Sequence, residues 1–536
     1  MNKPILNSTQ NSFFSKRIAS FVFSALFIPF VVTAQNADIK TQWQHSDMSI
    51  DGLPGVSALK AHAYMAAKGK TATPVVVAII DSGSETFHKD LNANIWTNKG
   101  EIANNGIDDD KNGYIDDVHG WSFIGGKGGD VKQDNLEFTR VYGMLKKRFE
   151  GKDAASIAAA DKADFAKYEK TKVEYEKRVG EVKAETDQFN AFYSQFKASK
   201  ELLAMALGND FTAEQLAAYE PTDDEGKAAK GAVLNIMMRG INLDEYVSYF
   251  STQLDYSYNI DFNPRTMVGD DYSNPRERNY GNNHIDGPEA MHGTHVAGIV
   301  GATNNGTGMD GICKTAQLMI IRCVPDGDER DKDVANAIRY AADNGARVIN
   351  MSFGKSHSPN KDVVDEAVMY AESKGVLLVH AAGNDAKDID SKDNFPTPRY
   401  ANGKTCSTWL EIGASDNSLD HLSADFSNYG DKTVDIYAPG VDIYATLLDN
   451  TFGPLSGTSM ASPVTAGVAA AILSYYPNLS AVQVREIIIK SGISYKKQMV
   501  VMPGDEEKKI KFGKLSKSGK VVNLYEALKL AEKMSK

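Results

Sequence analysis

Ser459 lies in Ser456-Gly457-Thr458-Ser459-Met460-Ala461-Ser462-Pro463, and the Ala/Val-rich run from Val464 to Ser474 that follows reads as a helix. A tight Gly-Thr-Ser turn at a helix start exposes the hydroxyl where free N–H groups and the helix dipole favour developing negative charge. A serine alone is a weak nucleophile, so this chemistry needs a base and a residue to orient that base. Two upstream segments offer them. His292 begins His292-Gly293-Thr294-His295-Val296-Ala297-Gly298, and Asp81 ends the apolar run Val75-Val76-Val77-Ala78-Ile79-Ile80. In such a trio Ser459 attacks a carbonyl, His292 takes the proton and returns it to the leaving amine, and Asp81 holds the imidazole in its productive tautomer. Taken singly, each residue has a plainer reading. Asp81-Ser82-Gly83 suits a strand-ending turn, His292 a helix N-cap, and Asn384 beside Gly383 a left-handed turn.

In the order Asp, His, Ser, the three segments resemble those of the subtilisin-like serine peptidases (subtilases, peptidase S8) of the bacterial secreted type. The Asp-Ser/Thr-Gly, His-Gly-Thr-His-Val-Ala-Gly and Gly-Thr-Ser-Met-Ala-Ser/Thr-Pro motifs of that family all run through without a gap. A fourth segment, His380-Ala381-Ala382-Gly383-Asn384-Asp385, resembles the family's oxyanion-asparagine loop. The resemblance implies a three-layer α/β fold with a mostly parallel central sheet. It also implies that the Asn384 amide and the Ser459 N–H stabilise the tetrahedral oxyanion. The substrate it implies is an extended polypeptide bound along backbone edges, with Ser352, Phe353 and Gly354 as one wall. Ala381, Ala382 and Gly383 would form the floor of the primary pocket. Phe353 and Lys355 are candidates to bias what that pocket accepts. His295, His380 and His119 are expected to be structural or bystanders.

The elements needed to position these residues are legible. Val75–Ile80, Leu318–Ile321, Val348–Met351 and Val376–His380 are continuous apolar runs suited to parallel strands buried on both faces. Helical patterns at Val334–Asn344 and Val363–Lys374 alternate with them, which defines an α/β sheet with active residues at the strands' carboxyl ends. A last helical pattern runs from Gly519 to Leu530.

Asp81 and His292 stand 211 positions apart, where the family needs a few tens. The excess is rich in Lys, Glu, Ala, Phe and Tyr, with Phe165, Tyr168, Tyr175, Val179 and Val182 forming an approximate helical stripe. The chain is therefore divided into a signal peptide at 1–34, a first peptidase part at 35–130, a helical insertion at 131–285 and the remaining peptidase part at 286–536. The insertion reads as a helical hairpin or small bundle, with a lid or inhibitory device as the alternative.

The leader rests on Lys16 and Arg17, an apolar run from Ile18 to Val32, and Val32-Thr33-Ala34 as a cleavage site. An extracytoplasmic protein, periplasmic or secreted, with no stable membrane anchor after cleavage, is the expected product. A net charge of −11 argues against nucleic acid as a partner. The three cysteines, Cys313, Cys323 and Cys406, lack metal-ligand spacing, and a Cys313–Cys323 disulfide stays open.

Calcium is the one expected cofactor, in a structural role. Asp108-Asp109-Asp110-Lys111-Asn112-Gly113-Tyr114-Ile115-Asp116-Asp117 places oxygen side chains at alternate positions with a turn-forming glycine. It resembles the first half of an EF-hand loop, with His119 where the twelfth-position Glu would be. Asp108, Asp110, Asn112, the Tyr114 carbonyl and Asp117 are the expected ligands, against the alternative of a solvated acidic turn. The family resemblance adds a second site at Asp90 and Asn305.

These features favour a serine endopeptidase working through an acyl-enzyme. A peptide-binding or chaperone-like protein on a peptidase scaffold, with the insertion as its binding surface, is the alternative. An esterase or peptide ligase would share the same intermediate.

Overall fold

The computed structural model describes residues 41–535 except 304 and 307, so the leader read at 1–34 lies outside the described residues. The chain divides into two compact units, Phe138–Phe262 and a larger body formed by the flanking segments.

The body is built on a nine-stranded sheet. From edge to edge its strands are Ile493–Ser494, Lys520–Val521, Ile436–Pro439, Trp409–Ser415, Leu377–Ala381, Val348–Met351, Val75–Asp81, Ala316–Arg322 and Gly120–Ser122. All neighbours pair in parallel except the first two. The central strands are apolar throughout because both faces are covered. In Val75–Asp81, Val77 and Ile79 join one core, with helices Met291–Gly301 and Thr458–Tyr475. Ala78 and Ile80 join the other, with helices Asp331–Asp343 and Lys361–Ser373. That alternation produces three layers. Helix Thr458–Tyr475 is buried along nearly its whole length, which explains its Ala/Gly/Val content. Gly467 permits a close approach, since a Cβ there would sit 2.7 Å from Ile312 Cβ.

Boundaries differ from the sequence reading at the C-terminal helix and at the insertion, among others. The C-terminal helix is Leu524–Met534, capped by Asn523, whose side chain accepts from the Glu526 N–H. Lys520–Val521 before it is a strand pairing with Ile493–Ser494, so the helical pattern begins too early at Gly519. The compact helical unit is also narrower than 131–285. Residues 263–285 belong to the body, fixed by a buried charge network: Arg265 bonds Asp333 at 2.7 and 3.1 Å, and Lys332 bonds Asp270 and Glu277 at 2.5 Å each. Tyr280 donates to Asp333 at 2.6 Å.

The unit Phe138–Phe262 contains the 46-residue helix Lys162–Leu207 and shorter helices Ala213–Ala218, Asp224–Met238 and Leu243–Thr252. Phe165 and Tyr168 are buried in a cluster with Tyr142 and Phe149, and Tyr175 packs at its margin. Leu203, Phe211, Leu216, Ala229 and Val233 form a second cluster.

Cys313, Cys323 and Cys406 are buried free thiols, so no disulfide staples this fold. Two buried histidines each contribute a loss of stability in acid. Burial lowers His45 from 6.5 to about 4 and His295 to about 3. An unfolded chain takes these protons as pH falls through about 6.5, whereas the native state excludes them until far lower, so stability falls as pH drops across that window. The His45 shift alone is worth about 3 kcal/mol, at roughly 1.4 kcal/mol per pKa unit. Denaturant melts at pH 7, 5.5 and 4.5 should show this loss, and His45→Gln should lessen it, with the His295 contribution remaining.

Candidate active site

Asp81 is the last residue of its strand, and its backbone oxygen accepts from the N–H groups of Cys323 (3.0 Å) and Val324 (3.2 Å). The carboxylate is almost wholly buried, with Oδ1 accepting from the Ser82 N–H at 2.8 Å and from His292 Nδ1 at 2.7 Å. This fixes the proton of a neutral His292 on Nδ1 and leaves Nε2 as the basic nitrogen. His292 is the second residue of its helix, not its N-cap. Burial opposes protonation of the ring, and attraction to the Asp81 carboxylate outweighs it, so the pKa lies above 6.5.

Close packing of the two segments depends on Gly293. A Cβ there would lie 2.0 Å from the Gly83 oxygen and 3.2 Å from Asp81 Cβ. Gly83 in turn has φ +106, a value only glycine adopts without strain. Arg322, at the end of the neighbouring strand, adds a support the sequence reading missed. Its fully buried guanidinium donates to the Ser82 oxygen at 3.1 Å and to the oxygens of Ile124 and Val131. Burial lowers its pKa to about 10.

Ser459 is the second residue of its helix and is partly exposed. Its hydroxyl donates to the Ser352 oxygen at 3.1 Å, and no hydrogen bond joins it to His292 in this conformation. Catalytic hydrogen bonds are often absent or long before substrate binds, so this contact does not exclude a nucleophilic role for Ser459. Pro463, four residues on, has no N–H for the Ser459 carbonyl. Ser352 Oγ donates to that carbonyl instead, at 2.8 Å.

Asn384 stands three residues beyond the strand Leu377–Ala381 and is exposed. Its Oδ1 accepts from both the N–H and the hydroxyl of Thr458, each at 2.8 Å. The amide nitrogen, which donates to no protein group among the described residues, is 3.4 Å from where a Cβ of Gly457 would be. Asn428 holds this loop: its Nδ2 donates to the Ala382 oxygen at 2.8 Å and its Oδ1 accepts from the N–H groups of Asp385 (3.1 Å) and Lys387 (2.9 Å). The arrangement can bind an oxyanion between the Asn384 amide and the Ser459 N–H.

Ser352, Phe353 and Gly354 continue the strand Val348–Met351, but Phe353 and Lys355 turn inward. The Phe353 ring packs in the core with its centroid 6.4 Å from that of His380, and Lys355 is buried in ion pairs. Neither side chain is presented to a substrate, and the exposed part of this edge is the backbone at Gly354. Ala381 and Ala382 are buried and Gly383 half-exposed. Asn394, not foreseen, lies between the two walls. A Cβ on Gly354 would fall 2.5 Å from its Oδ1, and its Nδ2 donates to the Ala381 oxygen at 3.2 Å. His380 bonds Glu411 at 2.9 Å inside the core, and His119 bonds the Trp96 oxygen at 2.8 Å, both away from the trio.

The acidic loop gathers Glu101, Asp110 and Asp117, whose carboxylate oxygens lie within 4.8 Å of one another. Three carboxylates suit a hard cation such as calcium. Glu101 was invisible to spacing because it precedes the loop. Asp108 is outside this group, its oxygens accepting from the N–H groups of Asn112 (3.0 Å) and Gly113 (2.8 Å). Asn112 donates its amide to Asp110 and Asp117, and the Tyr114 ring packs against Trp121 and Tyr340. Burial raises Asp117 to about 6. Asp90 and Asn305 are in contact: the Asn305 amide nitrogen donates to Asp90 Oδ1 at 2.9 Å, and the Met309 N–H to Oδ2 at 3.3 Å.

Residues 72–508 match the Subtilase family (Peptidase_S8), and the chain belongs to that family. It is 44% identical over 186 residues to a thermophilic serine proteinase of Bacillus sp. (strain AK1), covering 34% of this chain and 42% of that one. It is 39% identical over 204 residues to Subtilisin BL of Lederbergia lenta, covering 38% of this chain and 70% of that one. A solved structure of proteases from Pseudoalteromonas arctica PAMC 21717 aligns with 93% of this chain and 100% of its own at 19% identity, with a TM-score of 0.46. The chain thus spans less than half of the first of these relatives.

Proposed function

We propose that this protein is a serine endopeptidase of the extracytoplasmic space, working through Ser459, His292 and Asp81. The observations that support the reading are the 2.7 Å bond from His292 Nδ1 to a buried Asp81 and the position of Ser459 at the start of helix Thr458–Tyr475. Ser459 Oγ turns from the Ser352 oxygen toward His292 Nε2, gives up its proton there and attacks the carbonyl. The tetrahedral oxyanion is held by the Ser459 N–H and the Asn384 amide. His292, now cationic beside Asp81, protonates the leaving amine, and water resolves the acyl-enzyme by the reverse sequence.

A peptide blocked at both ends tests the endopeptidase reading: internal cleavage is expected, and cleavage confined to peptides with a free terminus would contradict it. Asn384→Ala is expected to lower kcat by about 10²–10³ with little change in KM, a magnitude taken from enzymes of this family. Steady-state kinetics on that blocked peptide will read both constants.

Export rests on the leader at 1–34. No described helix is long and apolar enough to cross a membrane. Calcium is proposed at Glu101, Asp110 and Asp117, where it would neutralise crowded carboxylates and tie the loop to its surroundings. At a concentration 100-fold above Kd such a cation adds about 2.7 kcal/mol to stability. Millimolar calcium should raise the melting temperature and a chelator should reverse the rise, with Glu101→Gln insensitive to both. A melting temperature indifferent to calcium would remove the cation from the account.

A further inference from the structure

Lys355 directly follows the substrate edge, yet its side chain is only 2% exposed. An ammonium group has three N–H donors, and here three acceptors surround it. They are Glu137 Oε2 at 2.8 Å, Asp331 Oδ1 at 2.8 Å and the Glu329 oxygen at 2.7 Å. Glu137 is as buried as Lys355 itself. Each anchor is fixed in turn. The Glu137 N–H donates to Asp328 at 2.8 Å, and Asp331 accepts from Ser358 Oγ at 3.0 Å and the Asn360 N–H at 2.8 Å. Arg330 grips Asp134 with two bonds of 2.7 and 2.8 Å.

The Lys355 backbone reaches the opposite wall. Its N–H donates to the Phe395 oxygen at 3.0 Å, and its own oxygen accepts from the Phe395 N–H at 2.8 Å. Phe395 follows Asn394, the amide that stands between the two walls. One residue therefore joins the edge at Ser352–Gly354, the segment at 394–395 and a buried charge cluster.

Buried ion pairs are weak contributors to stability, because desolvation offsets most of the attraction, but they demand one geometry. An extended peptide bound through main-chain hydrogen bonds depends on that kind of fixed geometry along the edge. A free Lys355 at this position would instead compete for the substrate's own carbonyls.

We propose that Lys355 is a positioning residue for peptide binding, its triply bonded ammonium holding the Ser352–Gly354 edge in register with Glu137 as an anchor. Glu137 is the last residue of the body before the helical unit, so the point where the inserted segment departs is part of this support. The proposal rests on the peptidase reading above.

The test uses the full chain with Lys355→Met and Glu137→Gln. Three quantities are read: kcat and KM on a blocked peptide long enough to span the cleft, the labelling rate with a small fluorophosphonate, and the melting temperature. Lys355→Met should raise KM about tenfold or more while kcat and the labelling rate change less than about threefold. Glu137→Gln should move KM the same way by a smaller factor. Unchanged KM in folded variants overturns the proposal, as does a fall in labelling and kcat as large as the rise in KM. If Lys355→Met shows no cooperative melt, Glu137→Gln decides alone. Wild-type protein that takes no label overturns the peptidase reading itself, a result distinct from failure of the Lys355 role.

Discussion

Replacing Ser459 with alanine is expected to lower kcat by about 10⁶-fold, a size known from enzymes of this family rather than calculated from this geometry. The reason is visible at the helix start. On the proposed mechanism no acyl-enzyme forms without Oγ, and His292 has no proton to accept. His292→Ala should cost about as much, and the double variant little more, because nucleophile and base act as a unit. Some acceleration over water should remain in all three, since the Asn384 amide and the Ser459 N–H still meet the oxyanion. Rates on a blocked peptide give the comparison. Costs that simply multiply in the double variant would mean that the two residues do not share a step.

Asp81→Asn should cost about 10⁴-fold in kcat with the fold intact. Its amide can donate to His292 Nδ1, which stabilises the tautomer with the proton on Nε2 and removes the base. A second signature lies in the pH profile. His292 must be neutral to act as base, so wild-type activity is lost as pH falls through its folded pKa, which lies above 6.5. Asp81 supplies the attraction that raises that pKa; without the carboxylate, burial acts unopposed and the value falls below 6.5. The acid limb of kcat/KM should therefore sit above 6.5 in the wild type and move to lower pH in Asp81→Asn. A limb that stays in place would separate Asp81 from His292 titration and contradict the geometry.

Where a residue's position follows from its local segment, the sequence was sufficient. Asp81 ends a doubly buried strand, and His292 and Ser459 open helices, as the apolar runs beside them suggested. The parallel sheet was legible for the same reason. Contacts between distant segments were not. Phe353 and Lys355 looked available to substrate, and nothing local indicates that a phenyl ring packs toward His380 or that Glu137 lies 218 positions away in sequence and 2.8 Å away in space. Arg322 carries a signal in hindsight, as a lone cation closing an apolar strand. Glu101 carries none, since a carboxylate outside the loop leaves no spacing to read. Alternate acidic positions look alike in sequence, and nothing there shows that Asp108 accepts from the N–H groups of Asn112 and Gly113. The limits of the insertion were blurred because residues 263–285 are as polar as the helices before them. Their charges are nonetheless matched to Asp333 and Lys332 of the body.

The most direct test of the central claim is to react the full-length protein with a fluorophosphonate and locate the adduct by mass spectrometry, with Ser459→Ala alongside. One phosphonyl group on Ser459, absent from the variant and formed faster as pH rises through the His292 titration, is the predicted result. A folded protein that takes no label, or takes it at another residue with Ser459 unmodified, would contradict the assignment of this site as a serine peptidase centre.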